Sequence, residues 1–147
     1  DDPAQGRLRY REDEFLDERN SVINARARLT LTGPSREASF GSVLLFRSRF
    51  FAPATHSPRF YREYFKPARE REVEKDRRRW LVAYRGVQFY VHVDRLLDPQ
   101  AGDFLEVKSR TWSRRDAQDK AAIIMELLVH LGARPEDTIE ADYVELA

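Results

Sequence analysis

The sequence predicts an α+β fold built around antiparallel strands. Five segments alternate polar and apolar residues with a period of two, which indicates strands with one face toward a core. Three other segments place apolar residues three or four positions apart, which is the spacing of amphipathic helices. Because hairpin-scale connections join the strands and helices come between or after them, the order favours antiparallel pairing.

Composition suggests a single domain and narrows the classes of partner. The chain has 147 residues, 41% hydrophobic and 35% charged, which suits one domain with a real core. Its formal net charge is +1, so nothing in the overall charge indicates a nucleic acid or a membrane surface, and any anion site must be local. The lack of cysteine and of a long apolar run leads us to expect a cytoplasmic protein without a membrane partner.

The first two strand segments each carry basic residues at alternate positions. In "GRLRYRED" (6–13) the residues opposite the apolar side are Arg7, Arg9 and Arg11. In "ARARLTLTGP" (25–34) the corresponding side carries Arg26, Arg28, Thr30 and Thr32. The Gly33-Pro34 pair then predicts the end of the strand.

The next two segments are predicted to be helices, at 35–51 and 57–67, joined by the loop "APATH" (52–56). Both have aromatic and aliphatic residues at spacings of about three to four. These residues are Phe40, Val43 and Leu44 in the first segment and Phe60, Tyr61, Tyr64 and Phe65 in the second.

Three further strands follow. The segment 69–86 places Lys75, Arg77 and Arg79 on one side, and Arg85-Gly86 predicts a hairpin turn into the segment 86–96. There the polar side carries Gln88, Tyr90, His92 and Asp94. In "GDFLEVKSRTW" (102–112) the polar side carries Glu106, Lys108 and Arg110.

The last helix is predicted over 113–132. Ser113 with Asp116 three residues later is a capping signature, and Gly132 predicts the C-terminal stop. Its apolar stripe consists of Ala117, Ala121, Ile124, Leu127, Leu128 and Leu131.

The charged strand faces allow two interpretations. A solvated sheet face is the simpler one, because antiparallel sheets often have one side in water. However, basic residues recur at the same parity in at least four strands. If the sheet closes into a barrel, these faces converge inside and would repel unless an anion joined them, and Glu106 and Asp94 could hold a divalent cation beside that anion.

Six short stretches resemble, in the same order, the CYTH superfamily, also called the triphosphate tunnel metalloenzymes. They are "LRYR" (8–11), "LTLTGP" (29–34), "EKDRRRW" (74–80), "HVDRL" (92–96), "GDFLEVK" (102–108) and "DYVEL" (142–146). The resemblance implies an antiparallel β-barrel, a triphosphate tunnel with flanking helices. Its basic lumen residues would grip a triphosphate, and its acidic residues would bind Mg²⁺ or Mn²⁺.

The resemblance and the parity together give a set of candidate site residues. The expected phosphate-binding residues are Arg9, Arg11, Arg28, Lys75, Arg77 and Lys108. The expected metal ligands are Glu106, which matches the first acid of the family's Glu-x-Glu motif, and Asp94, which matches the acid that ends a strand. His56, His92 and His130 lie far apart in the sequence and form no metal spacing, so none of them is expected to be a metal ligand.

Three departures from the family pattern bear on activity. The Glu-x-Glu-x-Lys strand of the family has no counterpart before Arg7, Thr32 replaces a lysine, and Lys108 replaces the second acid of Glu-x-Glu. The leading expectation is a metal-dependent phosphohydrolase of organic or inorganic triphosphate or pyrophosphate. The alternative is a non-catalytic nucleotide- or polyphosphate-sensing module of a multidomain ATPase or kinase. In either case we expect a single domain spanning 1–147 that is fused behind an N-terminal P-loop ATPase or kinase domain. Specific nucleic-acid binding is not expected.

Overall fold

The computed structural model describes residues 7–32, 38–40, 43–45, 48–140 and 143–146. The strands are β1 (Arg7–Leu16), β2 (Val22–Thr32), β3 (Ala38–Phe40), β4 (Val43–Leu45), β5 (Ser48–Pro53), β6 (Glu74–Tyr84), β7 (Val87–Asp98) and β8 (Gly102–Lys108). The helices are α1 (Pro58–Phe65), α2 (Arg114–His130) and α3 (Tyr143–Leu146), with a 3-10 turn at Pro135–Asp137. No helix in these ranges is long and apolar enough to cross a membrane.

The described strands form three sheets, and the two three-stranded ones are antiparallel, which confirms the α+β class. Their orders are β1-β2-β5, β3-β4 and β6-β7-β8. The chain divides into two compact units, one from the described residues of 1–38 and 46–70 and the other from those of 39–45 and 71–147. Closure of the strands into a tunnel stays a prediction.

The first unit is built on the β1–β2 hairpin. The carboxylate of Asp17 organises its turn by accepting hydrogen bonds from the amides of Arg19 (2.8 Å) and Ser21 (3.0 Å). In the sheet, Tyr10 pairs with Leu29 and Arg11 with Arg28, so apolar and basic residues occupy opposite faces.

Helix α1 lies on the apolar face of that sheet. Ser57 caps the helix by accepting a hydrogen bond from the amide of Phe60, and Pro58 occupies the first turn. The ring of Tyr61 contacts that of Tyr10, with centroids 5.8 Å apart. The arginines of β1 alternate with Tyr10 and therefore point to the other face of the sheet, which this contact with α1 does not cover.

The second unit packs α2 against one face of the β6-β7-β8 sheet. Its core joins Phe89 on β7 to Ile124 and Leu127 on α2, with Val107 of β8 packed beside them. The β6–β7 turn at Arg85 and Gly86 has positive φ at both residues (47° and 73°), as a type I′ hairpin turn requires. The polar residues of β7 therefore lie on the face opposite α2.

Both predicted ends of α2 are confirmed. The hydroxyl of Ser113 accepts a hydrogen bond from the amide of Asp116 (3.1 Å). At the other end Gly132 has a φ of 91°, its amide donates to Val129 and the amide of Ala133 donates to Leu128, which together make a Schellman cap.

Two sequence-based expectations are wrong. The described residues of the segment 35–51 form β3, β4 and part of β5 instead of a helix. Short aromatic and aliphatic runs fit both periods, and in the β5 part of the segment the pairing with β2, for example Thr30 with Phe51, decides for a strand. Leu131 is exposed instead of completing the apolar stripe of α2, because the chain has already left the helix there.

Candidate functional site

Two clusters of charged side chains occupy the sheet faces opposite α1 and α2, one in each unit. In the second unit, the antiparallel register places Arg77 opposite Asp94 and His92 opposite Glu106. Cross-strand partners lie on the same face of a sheet, so β6, β7 and β8 present these groups together. This face contains five of the predicted site residues, Lys75, Arg77, Asp94, Glu106 and Lys108.

Arg77 joins the two carboxylates of this face. Its Nε and Nη2 donate to Asp94 at 2.6 and 2.5 Å, and Nη2 also lies 3.1 Å from Glu106 Oε1. Asp94 is fully buried. Burial alone would raise the pKa of Asp94, but the hydrogen bond from Arg77 holds this pKa below its usual value. The predicted phosphate ligand Arg77 is therefore also the counter-ion of a buried acid.

One carboxylate oxygen of Glu106 lies close to three nitrogen donors. Its Oε1 lies 2.9 Å from His92 Nδ1, 3.1 Å from Arg77 Nη2 and 3.2 Å from Lys108 Nζ. Burial opposes ionisation, yet the hydrogen bond with His92 and the charges of Lys108 and Arg77 lower the pKa of Glu106 to about 2. Glu106 is thus ionised and paired at neutral pH.

Lys75 lies at the other end of this face. Its Nζ is 3.4 Å from Asp94 Oδ2 and 4.5 Å above the ring of Tyr143, a cation–π distance. Burial and the neighbouring Arg77 charge lower the pKa of Lys75 to about 8. A bound anion would stabilise the charged form of this amine.

Sequence reasoning missed two members of the cluster. Tyr143 of α3 also contacts the ring of Phe104, and burial and a hydrogen bond with Asp94 raise its pKa. In the sequence, the only indication that Tyr143 belongs to the site was its place in the "DYVEL" stretch. His92 was noted on the polar side of its strand, but only the register places it beside Glu106.

The first unit carries an arginine-rich face on β1 and β2. Its acidic member, Asp13, has carboxylate oxygens 2.7 Å from Arg11, 3.3 Å from Arg26 and 3.6 Å from Arg28. Burial and the charges of neighbouring arginines lower the pKa of Arg28. By strand parity Arg9 lies on the same face, so the predicted residues Arg9, Arg11 and Arg28 are brought together.

The donor set on these faces does not fit a protein-held divalent cation. Among the residues the structure describes, no group of three His, Asp or Glu side chains is placed to hold a metal ion. The two expected ligands, Asp94 and Glu106, are engaged by Arg77, and a metal would have to displace that guanidinium. As placed, the acids act as counter-ions.

Comparison with known proteins identifies no relative of this chain. No protein-family model, curated protein or solved structure matches it.

Proposed function

We propose that this domain binds a triphosphate-containing anion, either a nucleotide or an inorganic polyphosphate, through its cationic strand faces. The observation that carries the proposal is the face of β1 and β2, where Arg9, Arg11, Arg26 and Arg28 share one sheet face with Asp13. The guanidinium group is suited to bidentate contacts with phosphate. A polyanion is the ligand class that complements such a face.

Electrostatics support this assignment. Asp13 can neutralise one of the surrounding charges, and like charges held within a partly buried cluster raise the free energy of the empty site. Multiply charged phosphate oxygens would relieve that repulsion. The polar face of the second unit also carries more basic than acidic groups, with Lys75, Arg77 and Lys108 around Asp94 and Glu106.

The pairing of the acids favours the non-catalytic form of the proposal. Metal-assisted phosphoryl transfer needs carboxylates that are available to a cation, and here Arg77 occupies both. Hydrolysis assisted by Mg²⁺ or Mn²⁺ at Glu106 and Asp94 is the competing function. It requires Arg77 to leave these two acids when the anion binds.

The wider proposal is a CYTH-like tunnel domain. It rests on the six sequence stretches named above and on basic residues at one strand parity in both units. A closed tunnel, a cytoplasmic location and an N-terminal P-loop ATPase or kinase partner belong to this proposal.

Titration of the purified protein with tripolyphosphate by calorimetry tests the function. We expect saturable binding, which Arg11→Ala weakens about 10- to 100-fold, the effect of losing one charge-assisted hydrogen bond. Arg59→Ala is the matched control in the same unit, because Arg59 is an exposed arginine of α1 paired with Glu63. Equal affinities for both variants, or no binding by the wild type, would contradict the proposal.

A phosphate-release assay separates sensor from enzyme. The protein is incubated with tripolyphosphate, pyrophosphate or ATP in the presence of Mg²⁺ or Mn²⁺. The non-catalytic form predicts binding without release. Turnover that requires the divalent cation and that Glu106→Gln abolishes would instead establish the metal-dependent hydrolase.

A further inference from the structure

His92 has one ring nitrogen that the described protein groups do not satisfy. Its side chain is 8% exposed, on the central strand of the β6-β7-β8 sheet. Nδ1 lies 2.9 Å from Glu106, whereas Nε2 is buried and makes no hydrogen bond to any described residue. A buried polar atom left in this state costs about 1–3 kcal/mol, so it calls for a specific explanation.

The environment of the ring fixes which nitrogen faces which partner. The carboxylate of Glu106 is paired with Arg77 and Lys108 and can only accept, so Nδ1 carries a hydrogen and donates it. Nε2 lies across the ring and is directed away from that carboxylate. Arg77 and Lys108 contact the same oxygen of Glu106, so two cations lie on the same sheet face as this imidazole.

We propose that Nε2 of His92 hydrogen bonds to a phosphate oxygen of an anion bound on the polar face of the second unit, while Glu106 holds the ring in place. The inference rests on the proposed function and adds to it a residue that touches the ligand. A phosphate oxygen complements Nε2 whichever partner carries the hydrogen: an N–H donates to an anionic oxygen, and an unprotonated Nε2 accepts from a P–O–H group. A histidine whose other nitrogen is anchored by a carboxylate is also held in a fixed orientation, as ligand contacts require.

The competing explanation is that His92 serves only to position Glu106. Two substitutions separate the roles, because the amide nitrogen of asparagine replaces Nδ1 and that of glutamine replaces Nε2. His92→Asn keeps a donor for Glu106 and removes the ligand contact. His92→Gln keeps a donor for the ligand and removes the contact with Glu106.

Affinity for tripolyphosphate, measured by calorimetry, is the first readout. We expect His92→Asn to weaken binding about 10- to 100-fold, as for one hydrogen bond to a charged group, and His92→Gln to stay within about threefold of the wild type. His130→Asn is the control, since His130 lies on α2 against Tyr84 and outside the polar face. The reverse order of the two His92 variants, or wild-type affinity in both, would overturn the inference.

Ring-nitrogen NMR of the wild-type protein gives a second readout that needs no variant at His92. The chain has 3 histidines, so their resonances can be assigned by substitution of His56 and His130. We expect tripolyphosphate to shift the Nε2 resonance of His92 more than its Nδ1 resonance and to leave His56 and His130 unchanged. An unmoved His92 ring in a protein that binds tripolyphosphate would refute this inference alone, whereas absence of binding by the wild type would refute the proposed function as well.

Discussion

Two roles compete for the guanidinium group of Arg77. It neutralises the buried carboxylate of Asp94 and contacts Glu106, and it is also a predicted ligand of phosphate. Removing one partner of a buried pair leaves the other charge without compensation, which costs more than the pair itself contributes.

We therefore predict that Arg77→Ala destabilises the protein by about 3–5 kcal/mol, measured by urea unfolding. The double variant Arg77→Ala with Asp94→Asn should recover part of this loss, since the uncompensated charge is then gone. Strictly additive effects of the two substitutions would show that they do not interact and would contradict the observed bidentate pair.

Asp13 is the carboxylate that moderates repulsion on the arginine-rich face of β1 and β2. Burial acts to raise its pKa, but the hydrogen bond from Arg11 and the charges around it hold the pKa below the ordinary value. A lowered pKa means that the ionised form stabilises the folded state above the unfolded pKa of about 3.9. This contribution is lost as the pH falls below that value.

We predict that Asp13→Asn lowers stability at pH 7 by about 1–2 kcal/mol and removes part of the loss of stability below pH 4. The same substitution should increase affinity for tripolyphosphate, because the anion no longer competes with a carboxylate. Urea unfolding at pH 7 and pH 3 and calorimetric titration measure the two effects. Weaker tripolyphosphate binding by this variant would argue against an anion site on this face.

At the scale of elements, local signals decided which parts could be predicted. The type I′ turn at Arg85 and Gly86 and the caps at Ser113 and Gly132 depend on short-range geometry, so the sequence indicates them directly. Strand β5 depends on pairing with β2, which periodicity does not report. Strands β3 and β4 pair with each other and have only three residues each, too few to show a period.

In the candidate site, too, local patterns could be predicted and distant pairings could not. Period-two alternation shows that Arg77 and Arg79 share a face, but only the register shows that Asp94 opposes Arg77 and that Glu106 opposes His92. Tyr143 belongs to a short helix far along the chain and reaches Asp94 through tertiary structure alone. Charged residues could therefore be listed from the sequence, whereas their pairing could not.

The ends of α2 give a prediction for a single element. Ser113→Ala removes the side-chain acceptor for the amide of Asp116 and should cost about 1 kcal/mol. Gly132→Ala should cost about 1 kcal/mol, because a φ of 91° strains any residue with a Cβ. Gln118→Ala, at an exposed position inside the helix, is the control and should be close to neutral. Urea unfolding compares the three variants, and equal stabilities would contradict the observed caps.

At the scale of the whole molecule, the net charge is close to zero although basic and acidic groups are unevenly distributed over the sheet faces. The 26 basic and 25 acidic side chains almost cancel, yet basic groups outnumber acidic ones on the polar faces of both sheets. Binding that depends on such local fields weakens with salt, because counter-ions screen exposed charges over about 8 Å at physiological ionic strength. A polyphosphate ligand should therefore bind more tightly at low salt even though the net charge is only +1.

The tunnel proposal makes its own prediction about stoichiometry. If both cationic faces serve one ligand, calorimetry should give one tripolyphosphate per chain, and Arg11→Ala in the first unit and Lys108→Ala in the second should weaken that same event. Two independent faces would instead give two events, each sensitive to one of the variants. Arg95→Ala is the control for the second unit, since Arg95 is exposed and paired with Asp103. Two separate events would remove the case for a closed tunnel while leaving anion binding by each face intact.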